Sequence, residues 1–397
     1  MPGVRKLPVK VESTAEREHL SECGVADLNA PREFEFSLRS EQHPGSLSSR
    51  IGRRKQKDPS RAGHRHARIP LLASDVRTES LLMSKKTELS VGGKTVMVSN
   101  IDKVLYPEVG FTKGQVIDYY IRVAPVLLPH LKQRPITLKR YPDGVEGFFF
   151  YEKQCPSHRP KWVKTTTVPS QRREGKIDYC IMSDLPALVW AANLADLELH
   201  VFLHRAPAIS RPTAMAFDLD PGPPADIVQC CQVALWLKEV FEGFGLQSFP
   251  KTSGSKGLQL YVPLNIATDY DKAKAFAHGL AERLERDHPD LIVSRMLKTL
   301  RKGKVLIDWS QNDEHKTTVC AYSLRAKALP TVSTPVTWEE VSECLQEKKA
   351  DLLTFTSDDV LGRVEEHGDL FEPVLTLKQR MPSPKALAEA GVLESAA

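Results

Sequence analysis

Three aspartates stand where carboxylates are costly to place. Asp218 and Asp220 are one residue apart in "AFDLDPG", inside an apolar run and directly before a Pro-Gly turn. Asp308 interrupts a second apolar run, "KVLIDWSQN", just before a polar stretch. If both runs are strands, alternation sends Phe217 and Leu219 into the core and turns Asp218 and Asp220 together toward the other face. Two like charges that close resist ionisation unless a cation sits between them. Oxygen donors at this spacing suit a hard divalent ion such as Mg²⁺ or Mn²⁺. Taken alone, the pair also fits an Asp that caps the Pro-Gly turn beside a solvated strand residue. The third acid favours metal. Three carboxylates at the ends of two strands can meet at one sheet edge, the arrangement that clamps two ions for in-line phosphoryl or nucleotidyl transfer.

A second constellation suits phosphate. "KTSGSKGLQLYV" sets two glycines, Ser253 and Lys256 before an apolar strand. Glycines let backbone N–H groups approach a phosphate, while the serine and lysine add a hydroxyl and a point charge. The string is not a Walker A loop, and a strand rather than a helix follows it. A plain flexible turn fits it equally well. His200, in the alternating run "LELHVFLHR", and Arg325, in "AYSLRAK", can be a structural histidine and a surface arginine, or donors to a triphosphate. Phe148, Phe149, Phe150 and Tyr151 form an aromatic run whose alternation exposes some rings, on which bases can stack. By themselves Lys103, Lys113 and the Lys139-Arg140 pair read as solvated surface.

The elements that must carry these groups interleave along the chain. Gly92-Gly93 marks a hairpin, and Thr112 can cap a helix through "KGQVIDYYIRVAPVLLPHL", which Pro125 should kink or break. Strands are expected in "PITLKRYP", "LELHVFLHR", "AMAFDLD", "GLQLYVPL" and "GKVLIDWS". Helices are expected in "SDLPALVWAANL", after Asp226, and in "DKAKAFAHGLAERLERD". The class is therefore α/β, or mixed α+β.

With 397 residues, 41% hydrophobic and 26% charged, the composition is that of a globular protein. A net charge of +5 permits a polyanionic partner without requiring one. No run approaches the roughly 18 apolar residues of a membrane span, and the N-terminus lacks the pattern of a secretory signal. Seven cysteines without a C-x-x-C argue against a disulfide framework or structural zinc and for a reducing, cytoplasmic setting. Residues 44–68 hold eight Lys or Arg against one acid, so residues 1–82 are expected to be a disordered basic extension, either a solvated tail or an arm for nucleic acid. The globular domain is expected at 83–374 and a flexible tail at 375–397.

In order, "NIDKVLYP", "TKGQVIDYY", "RPITLKRYPDG", "FYEKQCP", "ELHV", "FDLDPG", "TSGSKGLQLYVPL", "VLIDWSQN" and "AYSLRAK" resemble the polymerase domain of bacterial DNA ligase D, in the archaeo-eukaryotic primase superfamily. The resemblance runs from about Val98 to Val374. It implies a primase-type core with a mixed, largely antiparallel sheet flanked by helices. It implies template-dependent addition of NTPs or dNTPs to a 3′-OH at gaps and broken ends during non-homologous end joining, with two divalent ions, Mn²⁺ favoured and Mg²⁺ possible. By resemblance, Asp218, Asp220 and Asp308 are metal ligands, and His200, Ser253, Lys256 and Arg325 contact the triphosphate. Phe150 and Tyr151 lie beneath the incoming base. Lys103, Lys113 and Lys139 grip a 5′-phosphate, which replaces the surface reading of those lysines. Ku and a separate DNA ligase are the implied functional partners, at the nucleoid, because no K-x-D-G ligase motif is present. Two other readings keep some of these features: an end-bridging module without chemistry, and a metal-dependent nuclease.

Overall fold

The computed structural model describes residues 86–170 and 175–393. The basic extension expected at 1–82 lies outside the described residues. The first element is the hairpin Lys86–Val91 with Lys94–Ser99. Gly92 and Gly93 both have positive φ, 52° and 73°, as a two-residue turn matched to strand twist requires.

Thr112 caps the Lys113–Leu131 helix through a reciprocal pair with Gln115. Contrary to the expectation for Pro125, the helix continues through Pro125 and Pro129. Val116, Tyr120, Val123 and Leu127 are fully buried along it, and that packing outweighs the lost backbone donors.

Two sheets dominate. One orders Thr318–Val319, Asp196–Val201, Pro135–Arg140, Lys176–Ile181 and Lys164–Pro169, with Phe150–Glu152 added on Pro135–Arg140; every pairing is antiparallel. The other orders Phe249–Thr252, Leu258–Pro263, Ala214–Pro221, Val305–Asp308 and Ile292–Val293, and only its last pair is parallel. The Lys113–Leu131 and Leu185–Asn193 helices pack in the core of the first sheet. The Ile227–Gly243 and Tyr270–Asp287 helices cover the second, where Phe217, Leu219 and Ile307 are fully buried. Each sheet thus keeps one face for polar groups.

Two expectations need correction. Cys155 and Cys180 form a disulfide. Their spacing carries no motif; Cys155, just past the Phe150–Glu152 strand, is held against the Lys176–Ile181 strand by its N–H donating to the Asp178 carbonyl at 2.7 Å. Among the described residues Cys230, Cys231, Cys320 and Cys344 are free and buried. The C-terminal segment, in turn, is docked rather than loose as far as residue 393. Gln379 bonds the backbone of Gln247 and Pro263, and the short Pro384–Glu389 helix buries Leu387 and, just beyond it, Val392 against the second core. Gly279 makes room there, since a β-carbon on it would lie 1.9 Å from the Val392 carbonyl oxygen. Leu387→Ala should lower global stability by about 2–4 kcal/mol in urea unfolding, whereas a detached tail would leave the midpoint unchanged.

Candidate active site

Strand register builds the site. Asp218 stands directly opposite Asp308 on one side and Gln259 on the other, and Gln259 stands opposite Lys251. Directly paired residues share a face, so Lys251, Gln259, Asp218 and Asp308 form one row across four strands. Asp220, two residues on, joins the same face. On the first sheet Tyr151, Lys139 and Glu198 form a second row, and His200, two residues beyond Glu198 on its strand and opposite Thr137, shares the same face. The two polar faces meet at a cleft of about 320 Å³ lined by Tyr151, His200, Asp218, Asp220, Lys256 and Arg325, among others. A larger and more apolar hollow behind the Ser255-Lys256 turn is lined by Ile227, Leu329 and Phe355 and by none of the three aspartates.

Burial raises the pKa of Asp218, and the neighbouring Asp220 and Asp308 raise it further. Asp220 is raised in the same way, by burial and then by Asp308, and Arg301 at 3.8 Å only partly offsets this. The Gln259 amide donates to Asp218 Oδ1 at 3.0 Å. Asp308 accepts from the Ser310 N–H and hydroxyl and from the Gln311 amide. With the acids held by these donors, no group of three His, Cys, Asp or Glu among the described residues is closed up as a ligand set. The donor chemistry nonetheless fits a divalent ion. Three hard oxygen donors share one face, and their mutual repulsion is what a cation would relieve. Behind Gln259 the fully buried Lys251 donates to Gln259 Oε1 and Ser333 Oγ, each at 2.6 Å, and burial pushes its pKa down to about 7. That bond orients the Gln259 amide so that its NH₂ faces Asp218.

The phosphate-type turn is compact. Ser253 Oγ accepts from the Ser255 and Gly257 N–H groups at 3.2 and 3.1 Å, so two of the turn's amides are used internally. Arg325 donates to the Ser253 carbonyl, tying the two segments together.

Two placements differ from the sequence reading. Phe150 and Tyr151 are neighbours on a strand and so face opposite ways. Tyr151 lines the cleft, while Phe150 stacks on Phe148 and lies under Arg140. Phe149 is the second ring beside Tyr151, at 6.3 Å, with Lys139 over both. Lys139 itself does not join Lys103 and Lys113. It turns into the cleft wall and pairs with Glu198 at 3.1 Å. Burial first, then the charges of Lys103 and Arg140, pull the Lys113 pKa down to about 8, while Arg140 itself pairs with Glu152 at 2.8 Å. Lys113 donates to the Ser99 carbonyl and Lys103 pairs with Asp143. Glu198, Gln259 and Lys251 are additional residues of these faces; of them only Glu198 has a local signal, its parity with His200, whereas Gln259 and Lys251 reach the row through cross-strand pairing.

Fold and cleft together define a primase-type polymerase domain, a mixed α/β architecture with its acids on the open face of a sheet. The chain belongs to the LigD primase-polymerase domain family, whose model matches residues 112–371. It is 40% identical over 285 residues to the multifunctional non-homologous end joining protein LigD of Mycolicibacterium smegmatis, covering 70% of this chain and 36% of that protein. It is 34% identical over 271 residues to the bifunctional LigD of Bacillus subtilis, covering 68% and 42%. The chain therefore spans well under half the length of these relatives. The structure of the polymerase domain of Mycobacterium tuberculosis ligase D in complex with DNA superposes with a TM-score of 0.66 at 40% identity, covering 72% of this chain and 99% of that one. Among the described residues no helix is long and apolar enough to cross a membrane.

Proposed function

We propose that this protein is a template-directed polymerase that adds NTPs or dNTPs to a 3′-OH at gaps and broken DNA ends bearing a 5′-phosphate, in non-homologous end joining. The observation that carries this is the cleft in which Asp218 and Asp220 face Lys256, His200 and Arg325. Asp218, Asp220 and Asp308 would hold two divalent cations, Mn²⁺ in preference to Mg²⁺, which supply charge compensation for the attacking 3′ oxygen and the departing pyrophosphate. Lys256, Ser253, Arg325 and His200 bind and orient the triphosphate. Tyr151, helped by Phe149, offers a ring for the incoming base. Lys103, Lys113 and Arg140 form a separate cationic group suited to the dianionic 5′-phosphate across the gap. Ku and a ligase are the partners this role requires.

The test is extension of a primer in a gapped duplex with each NTP and dNTP, in Mn²⁺ and in Mg²⁺. Longer product supports the polymerase. No product together with DNA binding would leave an end-bridging module, and a shortened primer a nuclease. Lys113→Ala should reduce the preference for a 5′-phosphorylated over a 5′-hydroxyl gap about tenfold, equivalent to about 1.4 kcal/mol. An unchanged preference would remove the phosphate-pocket assignment.

A further inference from the structure

We infer that Glu198 is a positioning residue for nucleotide binding: from behind the cleft its carboxylate gathers Lys139, His200 and Arg325 into one cationic wall and presents His200 to the polyphosphate through Nδ1. This rests on the reading of the cleft as a triphosphate site. Glu198 is 1% exposed. Its Oε1 receives the Lys139 ammonium at 3.1 Å, the Ala326 N–H at 3.1 Å and the Tyr141 hydroxyl at 3.4 Å. Its Oε2 meets His200 Nε2 at 3.0 Å, and Arg325 Nε lies 3.3 Å away as an ion pair without hydrogen-bond geometry. His200 and Arg325 line the cleft, and Lys139 lies over the ring of Tyr151, which lines it too. A buried carboxylate is costly unless paired, and this one is saturated by three cationic side chains and two neutral donors. Burial works to raise its pKa, but His200, Arg325 and Lys139 outweigh that and hold it far below the usual carboxylate range.

The consequence for His200 is a matter of proton count. Glu198 is an acceptor only, so it takes the Nε2–H. A neutral His200 then presents a bare Nδ1, which cannot donate to a phosphate oxygen. The imidazolium can. Four groups surround the ring: Glu198 on its own strand, Lys139 on the neighbouring strand, Arg325 from the segment after Val319, and Tyr151 edge-on at 5.8 Å. Burial lowers the His200 pKa, Glu198 opposes that fall, and Arg325 and Lys139 add to it. A polyphosphate brings the counter-charge that completes the imidazolium. Without Glu198, Lys139 and Arg325 face each other uncompensated and His200 loses the one group that favours its charged form.

The experiment uses the full chain and its Glu198→Gln variant. Imidazole ¹⁵N–¹H NMR of metal-free protein, with His200→Gln to assign the signal, reads the tautomer and the pKa of His200. Equilibrium binding of a fluorescent ribonucleoside triphosphate with Mg²⁺ reads affinity. Neutral His200 should carry its proton on Nε2 and become doubly protonated when the triphosphate binds. In Glu198→Gln its pKa should fall by a unit or more, and triphosphate affinity at pH 7.5 by about tenfold, while affinity for a 5′-phosphorylated duplex stays within twofold. A neutral His200 protonated on Nδ1 in the wild type overturns the inference, and that measurement needs no variant. Equal triphosphate binding by wild type and variant also overturns it and leaves the function reading intact. A wild type that binds no triphosphate sinks both.

Discussion

Asp218→Asn should cut nucleotide addition to a gapped duplex by about 1,000-fold or more, the scale lost when a site's main charge-stabilising group is removed. The same substitution should stabilise the metal-free protein. Asp218 lies between Asp220, on its own strand, and Asp308, directly opposite, so the wild-type fold pays electrostatically to keep three acids together. The amide keeps an oxygen for the Gln259 NH₂ and turns a donor toward the other carboxylates. The sign with pH follows from the raised pKa. Between the unfolded value near 3.9 and the higher folded value, the native state binds more protons than the unfolded one. Stability contributed by this group therefore falls as pH rises through that window. Above it, Asp218→Asn should melt higher than wild type by about 3 °C, corresponding to about 1 kcal/mol. Primer extension and a thermal melt on the same preparation check both halves. Gap filling that survives the substitution removes Asp218 from the chemistry, and a lower melting temperature removes the repulsion argument.

Gly257→Ala should have the largest structural effect of any single methyl addition near the cleft apart from Gly222, which meets the Arg301 carbonyl. A β-carbon on Gly257 would lie 2.0 Å from the Leu219 carbonyl oxygen and 3.2 Å from Pro221 Cδ. That carbonyl belongs to the peptide joining Leu219 to Asp220, in a strand paired on both sides. It cannot retreat without moving the acids. Overpacking of this kind costs about 1–3 kcal/mol, and more where backbone must yield. A displacement of about 1 Å at a catalytic group costs about 100-fold in rate. We expect a loss of about 3 kcal/mol in urea unfolding and at least a 100-fold loss of activity. Gly243, at the end of its helix, has open space around its Cα, so Gly243→Ala should be neutral or stabilise by up to about 1 kcal/mol. If Gly257→Ala is as stable and active as Gly243→Ala, the strands are not spaced as described.

Much of this was legible from local pattern. Alternation placed Phe217 and Leu219 in the core and the two acids on the other face. The Thr112 and Asp226 caps marked where helices begin, because a side-chain oxygen there satisfies orphan N–H groups. The same alternation, carried further, separates Lys139 from Arg140 and Tyr151 from Phe150; the resemblance put Lys139 with the phosphate lysines and both Phe150 and Tyr151 under the base, whereas parity divides each pair between two faces. It also puts Glu198 on the face of His200. Long-range pairing was beyond local pattern. Nothing near Asp308 says that it lies opposite Asp218, nothing near Cys155 names Cys180, and nothing near Val392 says that it sits against Gly279, over a hundred residues earlier.

The opposition of Asp218 and Asp308 ties chemistry to alignment. Side chains on paired strands repeat every second residue, so a slip of one position between these two strands would swap Asp308 for Ile307 at the cleft and drive a carboxylate under the Ile227–Gly243 helix. The misaligned form is thus penalised twice, by a greasy group in water and a charge in oil. A molecule with the wrong register loses the facing acids altogether, so a fault in alignment and a fault in the proposed chemistry would arise together.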